Sequence, residues 1–170
     1  LTRVVETRVR ALGQLHAVVV LANPALVACG WELDAARSLA VLRRYPTTLQ
    51  LRRARGLAQV RFGPRQKVGA KEAQRLQQAA REALCGAVLA AHGEEICFLA
   101  ARIAECNRKI ARIESALAQR LPEAARLDAI PGVGLRTALV LVACVPWSHL
   151  QSPKQAAAYV AAKGAISSLT

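Results

Sequence analysis

Acidic residues, aromatics and methionine are the scarce components of this chain. Its 170 residues hold 11 Asp and Glu against 24 Lys and Arg, two each of Trp, Tyr and Phe, and no Met. A nuclease of the two-metal kind needs several clustered carboxylates. Here the acids are scattered: Glu6, Glu32, Asp34, Glu72 and Glu82, a group between residues 94 and 114, then Glu123 and Asp128. No spacing among them assembles a metal site, and His92 and Cys97 have no third or fourth ligand in step. The sequence therefore predicts no metal site, no cofactor and no catalytic residue. Aromatics at 4%, with ten Gly and seven Pro, argue against a turn-dense β-sandwich. The longest apolar runs, 16–22 and 138–145, fall far short of the ~20 residues a membrane span needs. Five cysteines, Cys29, Cys85, Cys97, Cys106 and Cys144, contain no Cys-x-x-Cys pair. With no leader-like segment at the start, they read as buried thiols of a cytoplasmic protein. With no Met and a first residue, Leu1, already in helical stride, the chain reads as a piece of a longer protein or as a reading frame with an unusual start codon.

What is abundant is Ala, Leu, Val, Ile and Arg. Hydrophobic residues make up 54% of the chain, and an aliphatic core of this kind predicts an all-α fold. A compact fold of this length can bury about 70% of its unfolded surface, so it needs no disulfide or metal for stability. Residues 1–22 predict a helix with Val5, Val9, Leu12, His16 and Val19 on one stripe. His16 is then expected to be packed or hydrogen-bonded rather than catalytic. Asn23-Pro24 breaks that helix. A second helix is expected over 32–44, stopped by Tyr45-Pro46. Thr47 and Gln50 have the spacing of a capping box, which predicts a short helix to about Ala58. Gly63-Pro64 predicts a turn. Gly69 leads into a helix expected over 70–91 and ending at His92-Gly93.

Net charge is +13, which points to a polyanion. The charge is concentrated. Arg43, Arg44, Arg52, Arg53, Arg55, Arg61, Arg65, Lys67, Lys71, Arg75 and Arg81 face a single acid, Glu72, in the same stretch. A solvated surface normally mixes signs, so this imbalance predicts contact with nucleic-acid phosphates. The first nine of these residues are the candidate DNA- or RNA-binding side chains of this stretch.

Residues 94–120 carry an unbroken three–four alternation: Ile96, Leu99, Ile103, Cys106, Ile110, Ile113 and Leu117. That is a coiled-coil seam over about three heptads. It predicts a long helix in an antiparallel coiled-coil stalk, with the stripe of residues 1–22 as the partner within the chain and a homo-oligomer as the other outcome. Cys106 serves there as a small apolar residue.

After Leu121-Pro122 comes the sharpest local signal, the run from Leu127 to Ala138 around Pro131-Gly132-Val133-Gly134. It has the pattern of a helix–hairpin–helix. Gly132 suits the tight turn and Gly134 lets a phosphate approach bare backbone. The N–H groups at the start of the second helix, near Arg136 and Thr137, would face that phosphate. Such contacts carry no base information. Ser152, Pro153 and Gln155 predict another capped helix, to about Ala162, with Lys154 in its first turn. The expected organisation is a basic helical region over 1–93, a coiled-coil helix over 94–120 and a helix–hairpin–helix module over 121–170.

The Pro-Gly-Val-Gly hairpin, Ala138 to Val142, and the run Ser152-Pro153-Lys154-Gln155-Ala156-Ala157-Ala158-Tyr159-Val160 together resemble the C-terminal domain of a transposase family. It is the one-ten/one-sixteen group of insertion-sequence transposases, which carry a DEDD ribonuclease-H-like domain. Leu42-Arg43-Arg44-Tyr45-Pro46-Thr47 is similar to the family's middle region. The resemblance implies DNA transposition and recombination by a mobile element, with DNA and an element-encoded structured guide RNA as partners and Mg²⁺ in the full-length enzyme. The family's four acidic residues belong to an N-terminal domain to which nothing here corresponds. Its serine segment departs from pattern after Val160, where Ala161-Ala162-Lys163-Gly164 follow; Ser167 and Ser168 stand at about the right distance in a different context. The resemblance thus implies a part that binds nucleic acid without performing catalysis. A stand-alone, non-specific DNA- or RNA-binding helix–hairpin–helix protein is the alternative, and an oligomerisation protein with incidental charge is the third.

Overall fold

The computed structural model describes residues 1–83, 91–120 and 134–144. It is mostly helical, with no β-strand among the described residues. In chain order the helices are α1 (Thr2–Ala22), α2 (Pro24–Ala28), α3 (Ala36–Arg44), α4 (Thr48–Arg53), α5 (Ala70–Glu82), α6 (Gly93–Arg120) and α7 (Leu135–Cys144), with a 3-10 turn at Leu57–Gln59. The chain divides into two compact units, Leu1–Ile110 and Ala111–Thr170.

In the first unit, α1 buries Ala11, Leu15, Val19 and Ala22. That is not the expected stripe. Leu12 is partly buried against the core, but Val9 is 58% exposed and His16 is exposed, so the packed-histidine expectation fails. The reason is compositional. Beyond residue 11, α1 is apolar around much of its circumference, so periodicity identifies a helix without choosing its buried face. The small side chains Ala11 and Ala22 sit on the face that packs.

Asn23 ends α1, its N–H donating to the Val19 carbonyl at 2.8 Å, and Pro24 opens α2 where its missing donor costs nothing. Helix α2 has no counterpart among the expected elements. It closes in a Schellman motif: Gly30 has φ +67°, its N–H reaches the Val27 carbonyl and the Trp31 N–H reaches the Leu26 carbonyl. The expected helix over 32–44 starts at Ala36 instead.

The Asn23 side chain is fully buried. Its Nδ2 donates to the Pro46 carbonyl at 3.0 Å and the Tyr45 carbonyl at 3.3 Å, while Thr48 Oγ1 donates to its Oδ1 at 3.4 Å. One amide thus pairs groups from the α3–α4 connection that water cannot reach. Asn23→Leu should cost about 3 kcal/mol, because it strands two carbonyls and a hydroxyl while fitting the space. A urea midpoint unchanged from the parent would show that these bonds contribute nothing.

The capping box at α4 forms as expected. Gln50 N–H donates to Thr47 Oγ1 at 3.4 Å, and Thr47 N–H donates to Gln50 Oε1 at 3.3 Å. The helix stops at Arg53, five residues earlier than expected, and Leu57–Gln59 forms only a 3-10 turn. Helix α5 reaches Glu82, with residues 84–90 outside the described part. Ala91 and His92 lie in a 3-10 turn, and Gly93, expected at a helix end, begins α6.

Helix α6 follows its predicted stripe. Ile96, Leu99, Ala100, Ile103, Cys106 and Ile110 are buried, and Ile113 is half-buried. Ile96, Leu99, Ala100 and Ile103 share one core with Leu15 and Val19 of α1, Leu26 of α2, Leu42 of α3, Leu51 of α4 and Leu76 of α5. A polar clamp closes the edge of that core. Arg8 Nε donates to Asn107 Oδ1 and Arg8 Nη2 to Asp34 Oδ2, both at 2.6 Å, and Asn107 Nδ2 donates to the Asp34 carbonyl. It joins α1, α6 and the loop before α3 by charge-assisted bonds.

In the second unit, Ala138, Leu139 and Val142 of α7 pack with Leu117, Ala118 and Leu135. No helix of the described residues is long and apolar enough to cross a membrane.

Candidate nucleic-acid interface

All eleven basic side chains between Arg43 and Arg81 are exposed. Among the described residues, none of them pairs with an acid: the four ion pairs are Arg8–Asp34, Arg37–Glu72, His92–Glu95 and Lys109–Glu105. Glu72, the single acid of the stretch, is held by Arg37 at 2.9 Å, and that guanidinium also lies 5.0 Å from the Trp31 ring centroid.

Not all eleven are equally free. Arg43 and Arg44 occupy the last turn of α3, Arg52 and Arg53 that of α4, and Arg81 that of α5. A cation there stabilises the helix by complementing its dipole. Arg44 also lies 5.7 Å from the Tyr45 ring centroid. Arg52 is committed further: Nε donates to the Ala80 carbonyl at 3.0 Å, and Nη2 to the carbonyls of Ala83 at 3.0 Å and Arg81 at 3.5 Å. It caps the end of α5, which gives this predicted phosphate ligand a structural task.

The remaining cations have no such task. Arg55 follows α4. Arg61 and Lys67 pair across an isolated antiparallel bridge. The Phe62 N–H reaches the Gln66 carbonyl at 3.1 Å and the Val68 N–H reaches the Val60 carbonyl at 3.0 Å. Val60 and Val68 are buried while their neighbours Arg61 and Lys67 face solvent. This is strand-like alternation, apolar inward and basic outward. Arg65 sits in the connecting turn opened by Gly63-Pro64. The hairpin leads through Gly69 into α5, where the Gly69 N–H donates to Glu72 Oε2 at 3.3 Å. Lys71 lies in the first turn of α5, where the helix dipole opposes a cation. Helix α5 packs on α2, α4 and the 3-10 turn within the first unit.

Elsewhere, Gly134 and Thr137 are exposed at the start of α7, and a Cβ built on Gly134 meets nothing within 4 Å. The N–H of Ala138 bonds the Gly134 carbonyl at 3.0 Å. Gly132, Lys154, the rest of the hairpin, the capped helix expected from Pro153, Ser167 and Ser168 lie outside the described residues, as does the side chain of Arg136.

The thiols are less buried than expected. Cys106 is buried, while Cys29 and Cys97 are half-buried and free. Burial pushes both of these thiols up, with Arg75 opposing at Cys29 and Arg43 at Cys97. The Cys97 thiol lies 3.5 Å from the Arg43 carbonyl. Neither is an activated nucleophile. Among the described residues no group of three or more His, Cys, Asp or Glu is placed to hold a metal ion.

Comparison with protein-family models, curated proteins and solved structures finds no match to this chain.

Proposed function

We propose that this chain binds the phosphate backbone of nucleic acid as part of an insertion-sequence transposase, supplying affinity rather than chemistry. The observation that carries the binding is the set Arg55, Arg61, Arg65, Lys67 and Lys71: exposed, unpaired with acid and without a helix-capping task. Holding such a group together costs self-repulsion, which a polyanion relieves. The transposase assignment is supported by the order of motifs from Leu42 to Val160. In that reading residues 121–170 correspond to the family's C-terminal domain. A homo-oligomer would have to use surface other than Ile96, Leu99 and Ile103, which the first unit covers itself.

The test replaces all five cations with Gln and compares binding to a random-sequence duplex at 100 mM salt. Affinity should fall by about 100-fold or more. The control carries five exposed cations changed elsewhere, Arg3, Arg10, Arg102, Arg108 and Arg112, for the same loss of net charge. Equal losses in the two variants would mean that overall charge, not this surface, sets the affinity.

A further inference from the structure

We propose that the outer face of α5 reads base edges in the major groove of duplex DNA. The proposal rests on the phosphate-binding reading and adds sequence preference to it.

Helix α5 buries Ala73, Leu76 and Ala80. Its opposite face carries Lys71, Gln74, Arg75 and Gln78 at i, i+3, i+4 and i+7, with Arg81 at its edge and one acid, Glu82, at i+11, and all six are exposed. An open groove of about 380 Å³ is lined by Gln74, Arg75, Gln77, Gln78 and Arg81. Among the described residues, the side chains of Lys71, Gln74, Arg75 and Arg81 make no hydrogen bond or ion pair. Gln77 is committed inward, donating to the Ala54 carbonyl, and the Gln78 amide donates to Glu82 at 2.5 Å, which fixes its orientation.

The residue types decide the occupant. Phosphate binding alone needs cations, and a glutamine adds nothing to counterion release. Gln pairs in bidentate fashion with adenine, and Arg with guanine, along the major-groove edge. A helix of 13 residues is about 20 Å long, and its diameter of about 10–12 Å fits a groove about 12 Å wide. Gln74 and Gln78 are separated by a rise of about 6 Å, close to two base-pair steps. The deep, narrow major groove of duplex RNA would not admit the helix. Lys71 at one end of the stripe and Arg81 at the other are placed to meet the flanking phosphates.

The experiment uses the full chain and a pool of duplexes with a randomised centre. Repeated selection should enrich one motif, bound at least tenfold more tightly than its shuffled counterpart at the same salt. Gln74→Ala with Gln78→Ala, a change that favours helix, should reduce that preference to under threefold while affinity for the shuffled duplex moves by less than threefold. Tight binding without enrichment would overturn the proposal and leave the phosphate-binding reading standing. Enrichment that survives the double variant, or a preference for the same sequence as duplex RNA, would overturn it equally. Absence of any binding would remove both.

Discussion

Ile103→Asp should leave the first unit unfolded or loosely packed at 25 °C. Ile103 is fully buried, among Ile96, Leu99 and Ala100 of its own helix and the core residues of α1 to α5. A carboxylate there would be buried among apolar side chains, and the cost is on the order of 5 kcal/mol. Domains of this kind carry about 5–15 kcal/mol in total, so one such change consumes much of the margin. Ile103→Ala, which leaves only a cavity, should cost about 2–5 kcal/mol and still fold. Phe98→Asp supplies the control on the same helix: Phe98 is 62% exposed, and its replacement should move stability by no more than about 0.5 kcal/mol. Circular dichroism during a thermal melt measures all three. If Ile103→Asp and Phe98→Asp melt alike, the seam of α6 does not hold the unit together.

Binding to duplex DNA should collapse as salt rises from 50 to 200 mM, by about 10³-fold if six phosphates are engaged. The cause is counterion release: each phosphate neutralised by Lys or Arg frees condensed cations, and added salt opposes that release. Arg55, Arg61, Arg65, Lys67 and Lys71 supply five of the contacts, and Arg53 or Arg81 can supply another. The fivefold Gln variant should therefore show a log–log slope shallower by up to about 4.5 than the parent. Fluorescence anisotropy across a salt series gives both slopes. A flat response from the parent would remove the nucleic-acid reading, since a surface that binds DNA through cations cannot escape this dependence.

Much of this was legible in the chain itself, for reasons that differ from element to element. The seam of α6 could be read because Ile96, Leu99, Ile103, Cys106 and Ile110 alternate with charged neighbours, so only one face can be buried. The box of Thr47 and Gln50 could be read because capping chemistry is local to four residues. In α1 the same periodic reasoning chose Val9 and His16 over Ala11 and Leu15, because the half of the helix beyond residue 11 is apolar around much of its circumference and offers several stripes at valid spacing. Helix α2 escaped because five residues between a proline and a glycine look like a connection until the turn closes on Leu26 and Val27. For the candidate site, the sequence showed where the charge lies and that a single acid, Glu72, stands within that stretch.

Composition and local order determined that the chain is helical, strongly basic, and equipped with an apolar seam and particular caps. These depend on propensity, on 3.6-residue periodicity and on neighbours within a turn, all of which are written in consecutive residues. The tertiary structure decided which cations remain available. Arg52 and Arg53 are adjacent and chemically identical, yet Arg52 bonds three carbonyls at the end of α5 because the packing of α4 on α5 brings that end within reach. It likewise decided that Asn23 is a buried hub and that Gln77 faces inward while Gln74 and Gln78 face solvent. Such assignments depend on which distant groups arrive at hydrogen-bonding distance, and hydrogen bonds reward only the pairs that packing brings together.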